Sequence, residues 1–258
     1  MGIEIADSLL MALEARVLGA GRSVLRLPLD LAALHRKLGV GEHIRIQLSP
    51  RPSRAWCAQR ARDLMVGAGF QLQGRCTFRN ECATMTVERI QSLSDSVGAG
   101  MQVLIVGLNP SPYSADSGIP YGRPGNRFWP AALASGLVST DRDVDHALSS
   151  HHLGFTDLVR RTTKRADEVS QGEFEAGFGR VSRLIEWLKP GIVCFVGLSA
   201  WRSVMNRKAV PGLQAELIGR SQVYVMPHTS GLNAHCRLED LTGHLVKVKK
   251  LARNKADR

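Results

Sequence analysis

Short runs of unbroken apolar residues, each followed by glycine or polar residues, punctuate the second half of the chain. Val103-Leu-Ile-Val106 and Ile192-Val-Cys-Phe-Val196 are apolar throughout and rich in β-branched residues, and Val223-Tyr-Val225 is a shorter example. A strand buried on both faces shows such a run rather than alternation, so these three predict parallel strands of a covered sheet. Helical spacing fills the intervals. Residues 127–137 place Phe128, Leu133 and Leu137 on one side; 172–188 run to Lys189-Pro190; a helix is expected around 199–206, after Gly197. The last helix lines up Leu238, Leu241, Leu245, Val248 and Leu251 in a stripe. Strands alternating with helices predict an α/β fold, a three-layer α/β/α sandwich with a central, mostly parallel sheet. Ligands of such sheets sit beyond the carboxyl ends of the strands. Two loops leave those ends, 107–127 and 226–236.

The first hundred residues follow a different pattern. Residues 4–18 have amphipathic helical spacing, and 53–66 form a second helical stretch closed by Gly67 and Gly69. Ile44-Arg-Ile-Gln-Leu48 and Thr84-Met-Thr-Val-Glu-Arg-Ile90 are strand-like. This is an α+β extension, assigned to residues 1–100. It loosely resembles the tail of a class I methyltransferase sheet, but no Gly-rich cofactor loop follows a strand, so it is expected to lack catalysis. Ser92-Leu-Ser-Asp-Ser-Val-Gly-Ala-Gly100 is small, polar and Gly-rich and predicts a linker or exposed loop between the units.

At 258 residues and 44% hydrophobic the chain can bury a proper core, which excludes a disordered or fibrous protein. Lys plus Arg is 34 against 23 Asp plus Glu, a formal charge of +11. Thirteen basic and nine acidic residues fall within the first hundred positions and 21 and 14 after them, so the later part carries more of the excess. A polyanionic partner suits that charge without being proved by it. Cys57, Cys76, Cys82, Cys194 and Cys236 form no CxxC pair, which argues against a disulfide scaffold or a zinc site. No apolar run reaches 18 residues and no basic leader precedes an apolar segment, so neither a membrane span nor a secretory signal is expected.

The two loops carry the chemistry. The first reads Gly107-Leu-Asn-Pro-Ser-Pro-Tyr-Ser-Ala-Asp-Ser-Gly-Ile-Pro-Tyr-Gly-Arg-Pro-Gly-Asn-Arg-Phe-Trp129, and the second Met226-Pro-His-Thr-Ser-Gly-Leu-Asn-Ala-His235. Together with Gly154-Phe-Thr-Asp-Leu-Val159 and Ala166-Asp-Glu-Val-Ser170, in this order and spacing, they resemble the motifs of the uracil-DNA glycosylase superfamily. The resemblance is nearer to its mismatch-specific uracil/thymine branch and covers about residues 101–250. The first hundred residues have no counterpart in the minimal family fold.

That resemblance implies a monofunctional DNA-repair glycosylase, cytoplasmic and nucleoid-associated because DNA is found there, acting without metal or cofactor on uracil-containing or mismatched DNA, most simply as a monomer. The base must leave the duplex before water attacks its sugar, which calls for a pocket, a stacking platform and a wedge. By the resemblance, Asn109 positions the water and Tyr121 stacks on the flipped base. Taken alone, Asn109 reads more readily as a turn residue before Pro110, and Tyr121 equally as a core or surface aromatic. A neutral amide holds water but is a poor base, so the chemistry leans on stabilising the leaving group. The same resemblance implies that backbone N–H groups near Leu108 and Tyr121 read base oxygens; Asn126 is expected to tie the loop together, and Ser111 is small enough to admit thymine or ethenocytosine. Phe128 and Trp129 are expected in the core. Asp157 departs from the Asn or Lys of relatives; it either accepts from uracil N3–H, helps orient water, or caps a helix. His228 also departs from the branch and is expected, buried and neutral, to donate to the departing base; the alternative is a structural loop histidine. Ser230, Gly231, Leu232 and Asn233 match the DNA-contacting loop, with Leu232 as the wedge. Ala234 and His235 stand where the branch often has Arg, which weakens any reading of the opposite strand. Arg160, with Arg161, Lys164 and Arg165, is a candidate phosphate contact, as is the tail Lys247, Lys249, Lys250 and Arg253; such runs are equally solvated faces.

Two other functions stay open: a lesion-recognition module that binds without cutting, and a methyltransferase in the first hundred residues. No lysine stands at a motif position, so a Schiff-base lyase step is not expected.

Overall fold

The structure, a computed structural model, describes residues 15–164, 168–231, 233 and 236–256. The chain divides into two compact units, 1–94 and 95–258.

In the first unit, β1 (Arg16–Leu18), a 3-10 turn at Val24–Arg26, α1 (Leu27–Lys37), β2 (His43–Leu48), α2 (Ala58–Gly67), β3 (Phe70–Arg79) and β4 (Cys82–Arg89) follow in order. The sheet order is β1-β2-β4-β3, with β1 parallel to β2 and the other pairs antiparallel. Residues 16–18 are therefore strand rather than the end of a helix; the rest of the expected 4–18 helix, up to residue 14, lies outside the described residues. The helix α1 and the long strand β3 were not foreseen. Polar residues alternate irregularly along β3, which has a register shift between Gln73 and Thr77.

The second unit comprises β5 (Val103–Gly107), α3 (Pro112–Ser117), α4 (Phe128–Ala134), α5 (Val144–His151), β6 (Leu153–Asp157), α6 (Gln171–Leu188), β7 (Ile192–Val196), α7 (Leu198–Val204), β8 (Gly212–Ile218), β9 (Ser221–Met226) and α8 (Leu238–Ala256). Its sheet runs β6-β5-β7-β9-β8, parallel except for the β8–β9 edge pair. Alternate residues of each central strand feed opposite cores, as the period-2 geometry of a strand requires. Val103, Ile105, Ile192, Cys194, Tyr224 and Met226 join Phe128 and Trp129 of α4 and Leu241, Leu245 and Val248 of α8. Leu104, Val106, Val193, Phe195, Val223 and Val225 meet Val181, Leu184 and Ile185 of α6 and Trp201 of α7. The expected three-layer α/β/α sandwich is the fold observed.

The stretch 92–100 is not an exposed linker. Leu93, Asp95 and Val97 are buried, Ser96 bridges Phe155 of β6, and Val97 packs in the core against α6. Small polar residues hid this segment because its anchors, the Asp95 ion pairs, one bridge and the isolated Leu93 and Val97, form no apolar run. Among the described residues no helix is long and apolar enough to cross a membrane.

Candidate functional site

β5 ends at Gly107, where any side chain would force a neighbour to move. A Cβ would lie 2.1 Å from Asp157 Oδ1 and 3.1 Å from the Tyr121 hydroxyl. The ends of β5 and β6 continue side by side: Leu158 N–H donates to the Gly107 carbonyl (3.0 Å) and Val159 N–H to that of Leu108 (2.9 Å). Asn109 follows, half-buried. Its Nδ2 donates to Thr163 Oγ1 (2.8 Å) and to the Arg161 carbonyl (3.2 Å). Both amide hydrogens are thus engaged, and Oδ1 has no hydrogen-bond partner among the described residues. Ser111 Oγ caps α3 by accepting from Ser114 N–H (3.2 Å), so the small side chain is held at the helix start.

Tyr121 sits at φ +56°, in the left-handed region that a non-glycine residue adopts at a cost. Phe128 covers one face of its ring, 4.4 Å away and nearly parallel. Its hydroxyl is buried without a hydrogen bond among the described residues. Burial, reinforced by the Asp157 charge, pushes the phenol well above its ordinary pKa. Asp157, the last residue of β6, is itself buried, and its carboxyl makes no hydrogen bond among the described residues. Desolvation lifts its pKa to about 6, against the opposing pull of Arg160. Asn126 Oδ1 accepts from Phe128 N–H (3.0 Å), starting α4.

The second loop leaves β9 and lies against the first. Arg127 N–H donates to the Thr229 carbonyl (2.9 Å). The Arg127 guanidinium donates to the carbonyls of Ser230 (3.0 Å), Asn233 (2.7 Å) and Cys236. A Cβ on Gly231 would press on the Gly125 carbonyl at 2.9 Å, so glycine is needed where the loops meet. His228 is exposed rather than buried as expected. Partial desolvation and then the Arg127 charge lower its pKa, which favours the neutral ring at neutral pH.

Leu108, Asn109, Tyr121 and Asp157 are thus gathered at the ends of β5 and β6, Asn126 stands at the start of α4, and His228 and Ser230 lie on the loop beyond β9. Two expected DNA contacts point elsewhere. Arg160 is 7% exposed and pairs with Asp95 (2.9 Å), which also binds Arg180 (2.7 Å). The guanidinium is used inside the unit and does not face a phosphate. Asn233 is 7% exposed, and its Nδ2 donates to the His228 carbonyl (2.8 Å), closing the loop from within. Arg161 pairs with Glu173, and Lys249 donates to the Gly136 carbonyl (2.6 Å), while Lys247, Lys250 and Arg253 are exposed. Leu232, Ala234, His235, Arg165, Ala166 and Asp167 lie outside the described residues.

Sequence reasoning missed Arg127, Thr163 and the Asp95–Arg160–Arg180 cluster. Arg127 stood within a quoted motif, but nothing in its neighbours announces four backbone acceptors a hundred residues away. The N-terminal unit holds a cavity of about 380 Å³ lined by residues that include Arg16, Arg22, Asp30 and Lys37, and none of the expected site residues lies there. Comparison with known protein families matches residues 95–248 to the uracil DNA glycosylase superfamily.

Proposed function

The chain belongs to the uracil-DNA glycosylase superfamily, a group of DNA glycosylases, and from that premise we propose that it excises uracil from DNA by hydrolysis, in the manner of the mismatch-specific branch. Thymine and ethenocytosine opposite guanine are the further candidate bases. The observation that carries this reading is the fixed amide of Asn109. With Nδ2 held by Thr163 and the Arg161 carbonyl, Oδ1 is the atom left to hold a water for attack on the sugar C1′. The amide takes up a proton poorly, so the barrier must fall mainly through stabilisation of the departing base anion. A neutral His228 donating to base O2 supplies one such contact.

In this reading Tyr121 stacks on the flipped base, and its costly backbone conformation is what holds the ring against Phe128 at the loop. Asp157 accepts from the base N3–H, with the Tyr121 hydroxyl beside it. Ser111 leaves room for a 5-methyl group. Ser230, Gly231 and Leu232 meet the DNA, Leu232 filling the gap left by the flipped nucleotide. Asn126 and Asn233 keep the two loops in shape.

The test uses labelled duplexes with U, T or ethenocytosine opposite G, and single-stranded U, with alkali to reveal abasic sites. The wild-type protein is expected to yield abasic product from the uracil duplex, and Asn109→Ala to lower the rate on the order of a hundredfold. Tight binding with no abasic product from any substrate would replace the glycosylase with a lesion-recognition module.

A further inference from the structure

We infer that Arg127 is the positioning residue that pre-shapes the second loop for duplex DNA, its guanidinium acting as a clamp on that loop's backbone. The inference rests on the glycosylase reading. Four donations converge on one segment: Arg127 N–H to the Thr229 carbonyl, and the side chain to the carbonyls of Ser230, Asn233 and Cys236. Among the described residues no carboxylate pairs with this guanidinium. An arginine held by carbonyls alone spends its donors on geometry rather than on neutralising a charge. Its planar fork spans several acceptors at once, which a lysine ammonium on a flexible stem does not reproduce.

The placement suits that task. Arg127 starts α4, whose Phe128 and Trp129 are fully buried, so the clamp is anchored to the rigid core. It acts on the segment between His228 and Cys236, the one the proposed function assigns to DNA contact. Gly231 seated against the Gly125 carbonyl and Asn233 Nδ2 donating to the His228 carbonyl add to the hold on the described residues of that loop. A loop shaped in advance loses less conformational freedom on binding. That advantage matters most when a base must be pulled from a duplex, and least for a single strand, where unpairing costs nothing.

The experiment compares wild type, Arg127→Lys and Arg127→Gln on uracil in a duplex and in a single strand. Hydrogen exchange is followed in the same proteins at the amides of the second loop and of β5. Loss of the clamp is expected to lower kcat/KM on the duplex by about tenfold or more while leaving the single strand within about threefold. Exchange should quicken in the second loop and stay unchanged in β5. The lysine variant should not rescue the duplex rate, because it keeps the charge and loses the fork. Equal losses on both substrates, a duplex rate restored by lysine, or unchanged exchange in the second loop would each overturn the clamp. If a variant unfolds, faster exchange in β5 as well as in the loop exposes a global effect, which also counts against it. A wild-type protein inactive on both substrates would defeat the glycosylase reading itself; the exchange comparison still judges the clamp.

Discussion

At the scale of single residues, Asp157 is the group whose environment most changes its chemistry. Its pKa rises to about 6 from an ordinary 3.8 because burial disfavours the charged form. Below about pH 4 the carboxyl is protonated whether the chain is folded or not, and burial then exacts no electrostatic penalty. Between about pH 4 and 6 the unfolded chain has given up this proton while the buried carboxyl keeps it, so stability falls by up to about 3 kcal/mol and stays level above pH 6. Asp157→Asn is therefore expected to be more stable than wild type at pH 8, with the gap closing near pH 4. Urea denaturation at both pH values checks this, and an Asn variant less stable at pH 8 would contradict it. His228→Ala should slow uracil release on the order of a hundredfold if the ring supports the leaving anion; an undiminished single-turnover rate would leave it a structural loop histidine. Gly107→Ala tests the close approach of β5 to its neighbour. The added methyl overlaps Asp157 Oδ1, so a loss of about 1–3 kcal/mol is expected from the thermal midpoint.

Elements differ in how openly the chain announces them. β5 and β7 are apolar throughout because helices cover both their faces, and that pattern is visible at a glance. β6 reads Leu-Gly-Phe-Thr-Asp; Gly154 makes room for Met101 and the Ser96 carbonyl, and Thr156 is buried by hydrogen bonds with Asp95 and Arg180. β8 turns Leu213 and Leu217 outward as an antiparallel edge, which no short window distinguishes from loop. α5 buries little besides Ala147, so its apolar stripe is too thin to detect. The start of α6 is the opposite case, written in the chain as Ser170 followed three residues later by Glu173. Ser170 Oγ accepts from Glu173 N–H, and the Glu173 carboxylate accepts from Ser170 N–H. Ser170→Ala is expected to cost about 1 kcal/mol, read from the shift in denaturation midpoint. No shift would mean that Arg161, paired with Glu173, holds the helix start by itself.

For the whole molecule, the contacts place the start of the second unit at Asp95, a few residues before the point that composition suggested. Asp95 holds both Arg160 and Arg180, and removing one partner of a buried pair costs about 3–5 kcal/mol. A fragment of residues 95–258 is expected to unfold cooperatively and retain glycosylase activity. A fragment of 101–258 loses Asp95, the Ser96–Phe155 bridge and Val97, and should be markedly less stable or fail to fold. Equal stability of the two, by circular dichroism melting, would show that this buried cluster is dispensable.

What the sequence determined by itself was the layered fold, the two loops at the strand ends and the residues proposed to carry chemistry there. These are encoded in local terms: period, punctuation and motif order. Tertiary structure alone decided which polar side chains face the site. Arg160 and Asn233 turn inward, Asn109 is fixed through Thr163, Asp157 is pressed against Gly107, and Arg127 grips carbonyls more than a hundred positions away. Burial and hydrogen-bond partners are properties of the folded neighbourhood. A polar residue looks the same in sequence whether its partner is solvent, DNA or a distant backbone oxygen.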